Sequence, residues 1–300
     1  MKKYIPTILC LIAAMIWGFG FTAQKAAVEL SVFTVGASRN LFATIFLLSV
    51  IPMFDKMNKK LGNERKEKHL FTKTELIGGT VCGIILTVAA SFQQSGIGDG
   101  TDAGKAAFIT ALYVVLVPVI SLIFGKKTPF NVWLSVGIAA LGFYLLCIKG
   151  DFTIEPSDGL VLMCALIFSM HIIAIDRFSP RCDGVRMSCI QFFVSFVLNL
   201  IMALIFESPI SLGTIASVLP SLLFLGIGSS GIGFTLQILA QKDGDPTVVS
   251  VVMSLESVFG VLGGVIFFGE SMLLKEYIGC IIVFAAVILS QLDFKKTPAT

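Results

Sequence analysis

Charge is what this sequence has least of. Aspartate, glutamate, lysine and arginine make up 14% of its 300 residues, about half the share in an ordinary soluble protein. A water-soluble fold of this length has more surface than so few charges can cover, which excludes the one or two soluble domains that length alone suggests. An excess of one sign is missing too. The net charge is +3 and dispersed along the chain, so no basic face exists for a nucleic acid. The seven cysteines are odd in number and show no CxxC pair and no Cys/His ligand spacing, so neither a disulfide framework nor a zinc site is expected. Six of them (Cys10, Cys82, Cys147, Cys164, Cys189 and Cys280) lie inside apolar runs, and only Cys182 falls in a polar connector. No Walker motif occurs. The single GxGxxG match, Gly226 to Gly231, lies within an apolar run with no strand before it and no suitably placed acid after it. No cofactor or metal is expected, and any transport must draw on an ion gradient or on the solute's own gradient.

What is present is apolar sequence. Apolar residues plus glycine, leaving out tyrosine, reach roughly 64% of the chain, against about 45–50% for soluble proteins, and the mean hydropathy is +0.92. The apolar runs fall near residues 5–24, 33–53, 75–95, 103–124, 130–149, 158–176, 187–206, 213–240, 247–268 and 275–292. Each is long enough to cross about 30 Å of hydrocarbon. Pro220 interrupts the eighth, so its membrane portion is placed at 219–240. The first run, preceded by Lys2 and Lys3, also fits a secretory signal. Loop charge decides between the two. With ten retained spans and both termini cytoplasmic, 17 basic residues fall inside, among them Lys2, Lys3, the stretch Lys56 to Lys73, Lys126, Lys127, Arg186, Lys242, Lys295 and Lys296. Only five, Lys25, Arg39, Lys105, Lys149 and Lys275, fall outside. That bias is the positive-inside rule. An all-α, multi-pass protein of the cytoplasmic membrane is predicted.

The two halves, 1–150 and 151–300, register against each other at an offset of 144: Gln93 meets Gln237, Asp99-Gly100 meets Asp243-Gly244, and Phe124-Gly125 meets Phe268-Gly269. Five helices per half is an odd number, so the second half enters the bilayer from the opposite side. Inverted repeats of this kind are a recurrent plan of secondary transporters, with the site near the midplane.

The stretches Ile16 to Phe21, Ala106 to Pro118, His171 to Ser179 and Phe268-Gly269-Glu270 resemble EamA-type members of the drug/metabolite transporter superfamily, and the resemblance extends over essentially the whole chain. It implies ten helices around a central cavity, alternating access, and substrates such as amino acids or other small metabolites. In the family, proline often follows the glutamate of the ninth helix. Here Ser257 follows Glu256, and no helix break is carried over to that point.

Few polar residues lie deep in the spans. Glu256 is nearly halfway along the ninth, where an ionised carboxylate costs about 2.5–3.5 kcal/mol on insertion scales. Gly260 and Gly263 follow it at helical spacing, either as a smooth strip beneath a solute or as a close-packing surface. Tyr113, one place beyond Glu256's partner in the repeat register, continues a stripe with Ala106, Thr110 and Val117. Gln94 closes a stripe with Gly83, Thr87 and Ala90, and Gln237 lies in one with Ser230, Gly233 and Gln241. Trp17 shares a face with Ala13, Gly20 and Gln24, deeper than an interfacial tryptophan. His171 lies five residues before Asp176 and could relay protons. Arg39, near the outer end of the second helix, could snorkel or attract an anionic substrate, and snorkelling is favoured. The expectation is a secondary transporter of a small organic solute, with Trp17, Gln94, Tyr113, His171 and Gln237 lining the route. Glu256 would bind a proton or a cationic group and so is the candidate for proton coupling, facilitated diffusion being the alternative. The partners are that solute and membrane lipid. The alternatives are a lipid or polyisoprenoid flippase on the same scaffold and, less favoured for want of a nucleophile–base cluster, an integral-membrane enzyme.

Overall fold

The computed structural model describes residues 4–60, 67, 69–101, 103–147, 155–208, 211–268 and 273–292. Several of the loop lysines and arginines used for orientation (Lys2, Lys3, Arg65, Lys66, Lys68, Lys149, Lys295, Lys296) and the Gly269-Glu270 pair lie outside them. Among the described residues there is no strand. The helices are α1 (Ile5–Ala26), α2 (Val32–Lys60), α3 (Lys73–Gly98), α4 (Ala103–Ala111), α5 (Tyr113–Ile123), α6 (Phe130–Cys147), α7 (Pro156–Phe178), α8 (Gly184–Phe206), α9 (Leu212–Ser217), α10 (Leu219–Leu223), α11 (Thr235–Gln241), α12 (Pro246–Met253), α13 (Glu256–Phe268) and α14 (Leu274–Gln291), with a wide-turned π segment, Phe224–Phe234, between α10 and α11. Three pairs or triplets of these share a crossing: α4 with α5, α10 with the π segment and α11, and α12 with α13. Nine of the resulting segments are long and apolar enough to span a bilayer, and Phe130–Leu145 is a shorter apolar tenth. The ten predicted runs are thus present, the second extended to Lys60.

Local chemistry sets the helix starts. Thr72 and Glu75 form a reciprocal capping box at α3, Asp183 caps α8 through Arg186 N, and Asp245 caps α12 through Thr247 N and Val248 N. Each supplies an acceptor to amides that the helix itself leaves unpaired. Pro6, Pro156, Pro220 and Pro246 sit in first turns, where their missing N–H costs nothing.

Packing follows the repeat. The most extensive contacts are α6 on α14, α2 on α8 and α3 on α7. The first two join crossing five to ten and two to seven, pairs that an exchange of the halves maps onto themselves. Crossing three on six is matched by one on eight, where α1 meets the π segment and α11. The repeat motif Asp-Gly is used twice for different reasons: Gly100 has φ +116°, whereas a Cβ on Gly244 would lie 2.8 Å from Ala240 O. Large apolar side chains such as Ile45, Leu48, Leu204 and Ile281 are exposed, as a lipid-facing surface requires and a water-facing one does not.

One face of the bundle carries the start of α1 and the end of α14, joined by a hydrogen bond from Thr7 Oγ1 to Gln291 Oε1 of 3.0 Å. Here Arg186, 3% exposed, forks onto Asp55 at 2.9 and 2.7 Å and donates to Leu70 O, and Lys126 pairs with Asp176. Cys182, the cysteine of the polar connector, is buried. Burial, with the Glu75 and Asp183 carboxylates nearby, pushes its thiol up to about 11. At neutral pH almost none of it is thiolate, so maleimide labelling of the native protein should be at least tenfold slower at Cys182 than for a free thiol. Rapid labelling there would contradict this packing.

Candidate functional site

The site begins with two tightened helix turns. At Leu112 the fourth crossing tightens: Leu112 N donates to Ile109 O and Val115 N to Leu112 O, three residues apart rather than four. The ninth tightens at Ser254–Leu255, where Leu255 N donates to Val252 O and Ser257 N to Ser254 O. The ninth crossing therefore tightens beside Glu256 although the proline is absent, and it continues as one span. Serine hydroxyls supply part of the bonding, Ser254 Oγ to Val251 O at 2.6 Å and Ser257 Oγ to Ala107 O at 3.2 Å. Irregular helix turns survive in a membrane where such side chains satisfy freed backbone groups and the irregular stretch lines a cavity. The two tightened turns stand at nearly equivalent places in the 144-residue register, and the first residue after each is Tyr113 or Glu256.

These two residues face each other in the bundle interior. Glu256 is 4% and Tyr113 3% exposed, yet Tyr113 Oη and Glu256 Oε1 both lack a hydrogen-bond partner of good geometry among the described residues. Unsatisfied buried polar atoms in a membrane interior are costly. Both residues line a central cavity. Gln24, Val32, Gln94 and Asn199 also line it. They belong to the end of α1, the start of α2 and the C-terminal parts of α3 and α8, so the cavity reaches toward the face opposite Thr7 and Gln291.

Its walls combine amides, hydroxyls and aromatic rings. Gln24 Nε2 donates to Gln93 Oε1 at 3.0 Å, and Gln93 Nε2 to Thr110 Oγ1 at 3.1 Å. On another wall Asn40 Nδ2 and Thr87 Oγ1 both bond Ser195 Oγ, at 2.7 and 2.9 Å. Trp17 Nε1 donates to Ser229 O at 3.2 Å, and its ring centroid lies 4.6 Å from that of Phe234. Gly233 is glycine for this reason: a Cβ there would meet Trp17 Nε1 at 2.6 Å.

Of the residues singled out from sequence, Trp17, Gln94, Tyr113, Gln237 and Glu256 line this cavity. Gln237 Oε1 is unpartnered, whereas Gln24 reaches Gln94 Oε1 at 3.5 Å. His171 does not face the cavity. It is fully buried behind Phe168 and Phe234, with Nε2 on Gln191 Oε1 at 2.9 Å. The strip beneath Glu256 is a packing surface: a Cβ on Gly260 would sit 3.6 Å from Gly18 O, and one on Gly263 3.1 Å from Phe19 Cδ1. Arg39 differs most from expectation. It lines the cavity instead of snorkelling, its Nε on Ser230 Oγ at 3.1 Å and Nη2 on Ser229 Oγ at 3.2 Å. Those serines lie in the π segment, the discarded GxGxxG match, and wide-turned segments of this kind frequently mark functional sites. Asn40, Ser195 and Asn199 gave no signal in the sequence, since single polar residues in amphipathic stretches are common.

Comparison with known proteins agrees with the two-repeat helical fold. The model of the EamA-like transporter family matches twice, over residues 5–148 and 156–292. An uncharacterized transporter from Archaeoglobus fulgidus is 29% identical over 298 residues, covering 97% of this chain and 87% of that protein. The uncharacterized transporter YoaV of Bacillus subtilis is 22% identical over 288 residues, covering 94% and 95%. A solved crystal structure superposes with a TM-score of 0.76 at 18% identity, covering 95% of this chain and 96% of that one, which bears on the fold alone.

Proposed function

The chain belongs to the EamA-like transporter family and is a membrane transporter of the drug/metabolite type; from that premise we propose that it moves a small organic solute, amino acid-like or related, by alternating access at the central cavity. The observation that carries this reading is the Glu256–Tyr113 pair, buried against each other beside two tightened helix turns, with Glu256 Oε1 unsatisfied, on the wall of the central cavity. A buried carboxylate with no cation beside it is costly unless its partner arrives and leaves. The solute's cationic group, or a proton exchanged with it, is that partner. Tightened turns near the midplane at a repeat interface suit a rocking bundle.

In this reading the protein sits in the cytoplasmic membrane with both termini inside, as its basic loops favour. The cavity then faces outward, and the Thr7–Gln291 contact belongs to the closed inner side. The two halves of the chain, 1–150 and 151–300, are the moving units.

A metabolite panel read by thermal shift on the purified protein, followed by proteoliposome uptake of each hit, tests the reading. At least one stabilising hit is expected to be carried, faster with a pH gradient than without. If every hit binds and none is carried, the reading fails. If uptake ignores the gradient, coupling fails while transport stands.

A further inference from the structure

Among the described residues Arg39 and Glu256 are the charged ones that line the cavity, and they are equipped differently. Glu256 faces Tyr113 and has no cation against it among the described residues. Arg39 has been aimed. A guanidinium carries five N–H donors in a rigid planar fork. Ser230 takes the Nε donor and Ser229 one from Nη2, which fixes the plane of the group. Three donors remain, two on Nη1 and one on Nη2, along the edge turned away from the serines. No carboxylate among the described residues pairs with Arg39. An arginine placed in a membrane cavity, oriented by two neutral hydroxyls and left with an unused two-pronged edge, lacks the acid that would make it structural. That edge matches the two oxygens of a carboxylate.

We propose that Arg39, oriented by Ser229 and Ser230, is the subsite for a carboxylate on the transported solute. This rests on the transport reading above for the word transported, not for the subsite itself. One cation offset by one lining carboxylate suits a monoanion or a zwitterion better than a phosphate dianion, which needs more positive charge than the cavity holds. Trp17, Phe168, Phe192 and Phe234 on the walls suit an apolar body between the two charged ends.

Three probes separate the possibilities on the full-length protein: 3-phenylpropionate, L-phenylalanine and phenethylamine, with affinity followed by tryptophan fluorescence, Trp17 being one of only two tryptophans. Arg39→Gln should weaken the two carboxylate-bearing probes roughly 10- to 100-fold and leave phenethylamine unchanged. Arg39→Lys keeps the charge but loses the fork, and should fall between. If the glutamine variant does not run as a single species on gel filtration, the lysine variant carries the test, with a loss confined to the carboxylate probes. The subsite is wrong if the wild type binds neither carboxylate probe, or if the variants weaken all three alike. If the wild type binds carboxylates as expected but proteoliposomes carry none of them, the transport reading fails and the subsite remains.

Discussion

Glu256→Gln should lower gradient-driven uptake roughly 10- to 100-fold, the range set by losing one charge-assisted partner, while thermal stability stays level or rises. The opposite directions are the point. Glutamine keeps the shape of the side chain but removes an ionisable group from a site where ionisation is penalised by burial. A glutamate kept for packing would lose stability on replacement. One kept for exchange with solute or proton loses function instead. Solute exchange across the membrane without a gradient should survive better than net uphill uptake if a proton is what Glu256 carries. Full uptake by the variant, indifferent to pH gradient, would sink the coupling role.

Gly18→Val should cost more still, and through structure. A Cβ at Gly18 would lie 2.4 Å from Phe259 Cβ, and 2.7 Å from both Glu256 O and Gly260 N. Two of these atoms are backbone, so no rotamer relieves the clash and α1 must move away from α13. Overpacking of this type costs about 1–3 kcal/mol and sometimes more, and the displaced backbone is that of Glu256 itself. A lowered melting temperature, lost monodispersity and lost uptake are expected together. Gly137→Ala is the control: nothing lies within 4 Å of its Cβ position, and alanine is the better helix former, so stability should not fall. Equal damage from both substitutions would mean that glycine flexibility, not the α1–α13 approach, is what matters.

The membrane fold was legible because a bilayer imposes a length and an apolar character that composition reports directly, and because the inverted duplication leaves a register. Glu256 and Tyr113 were legible as polar residues with no topological role. Depth alone leaves Arg39 open: near a helix end a long cation can turn either way, and Ser229 and Ser230, 190 and 191 residues away in sequence, turn it inward. The glycines after Glu256 were consistent with a solute surface or a helix contact, and the choice depended on Gly18 in another crossing. Periodicity gives His171 a face but not what that face meets, here Gln191, Phe168 and Phe234. The tightened turn before Glu256 has no proline to announce it, because shortened backbone bonds and the Ser254 hydroxyl accomplish it.

Alternating access is tested most directly by accessibility at both ends of the route. In a background with the seven native cysteines replaced, single cysteines at Ser91, on the wall of the central cavity, and at Thr7, beside Gln291 on the opposite face, are labelled from their own sides in proteoliposomes. A transported solute should change the two rates in opposite directions, one site closing as the other opens. Rates that rise or fall together, or that ignore a solute known to be carried, would contradict a single cavity exposed alternately to the two sides.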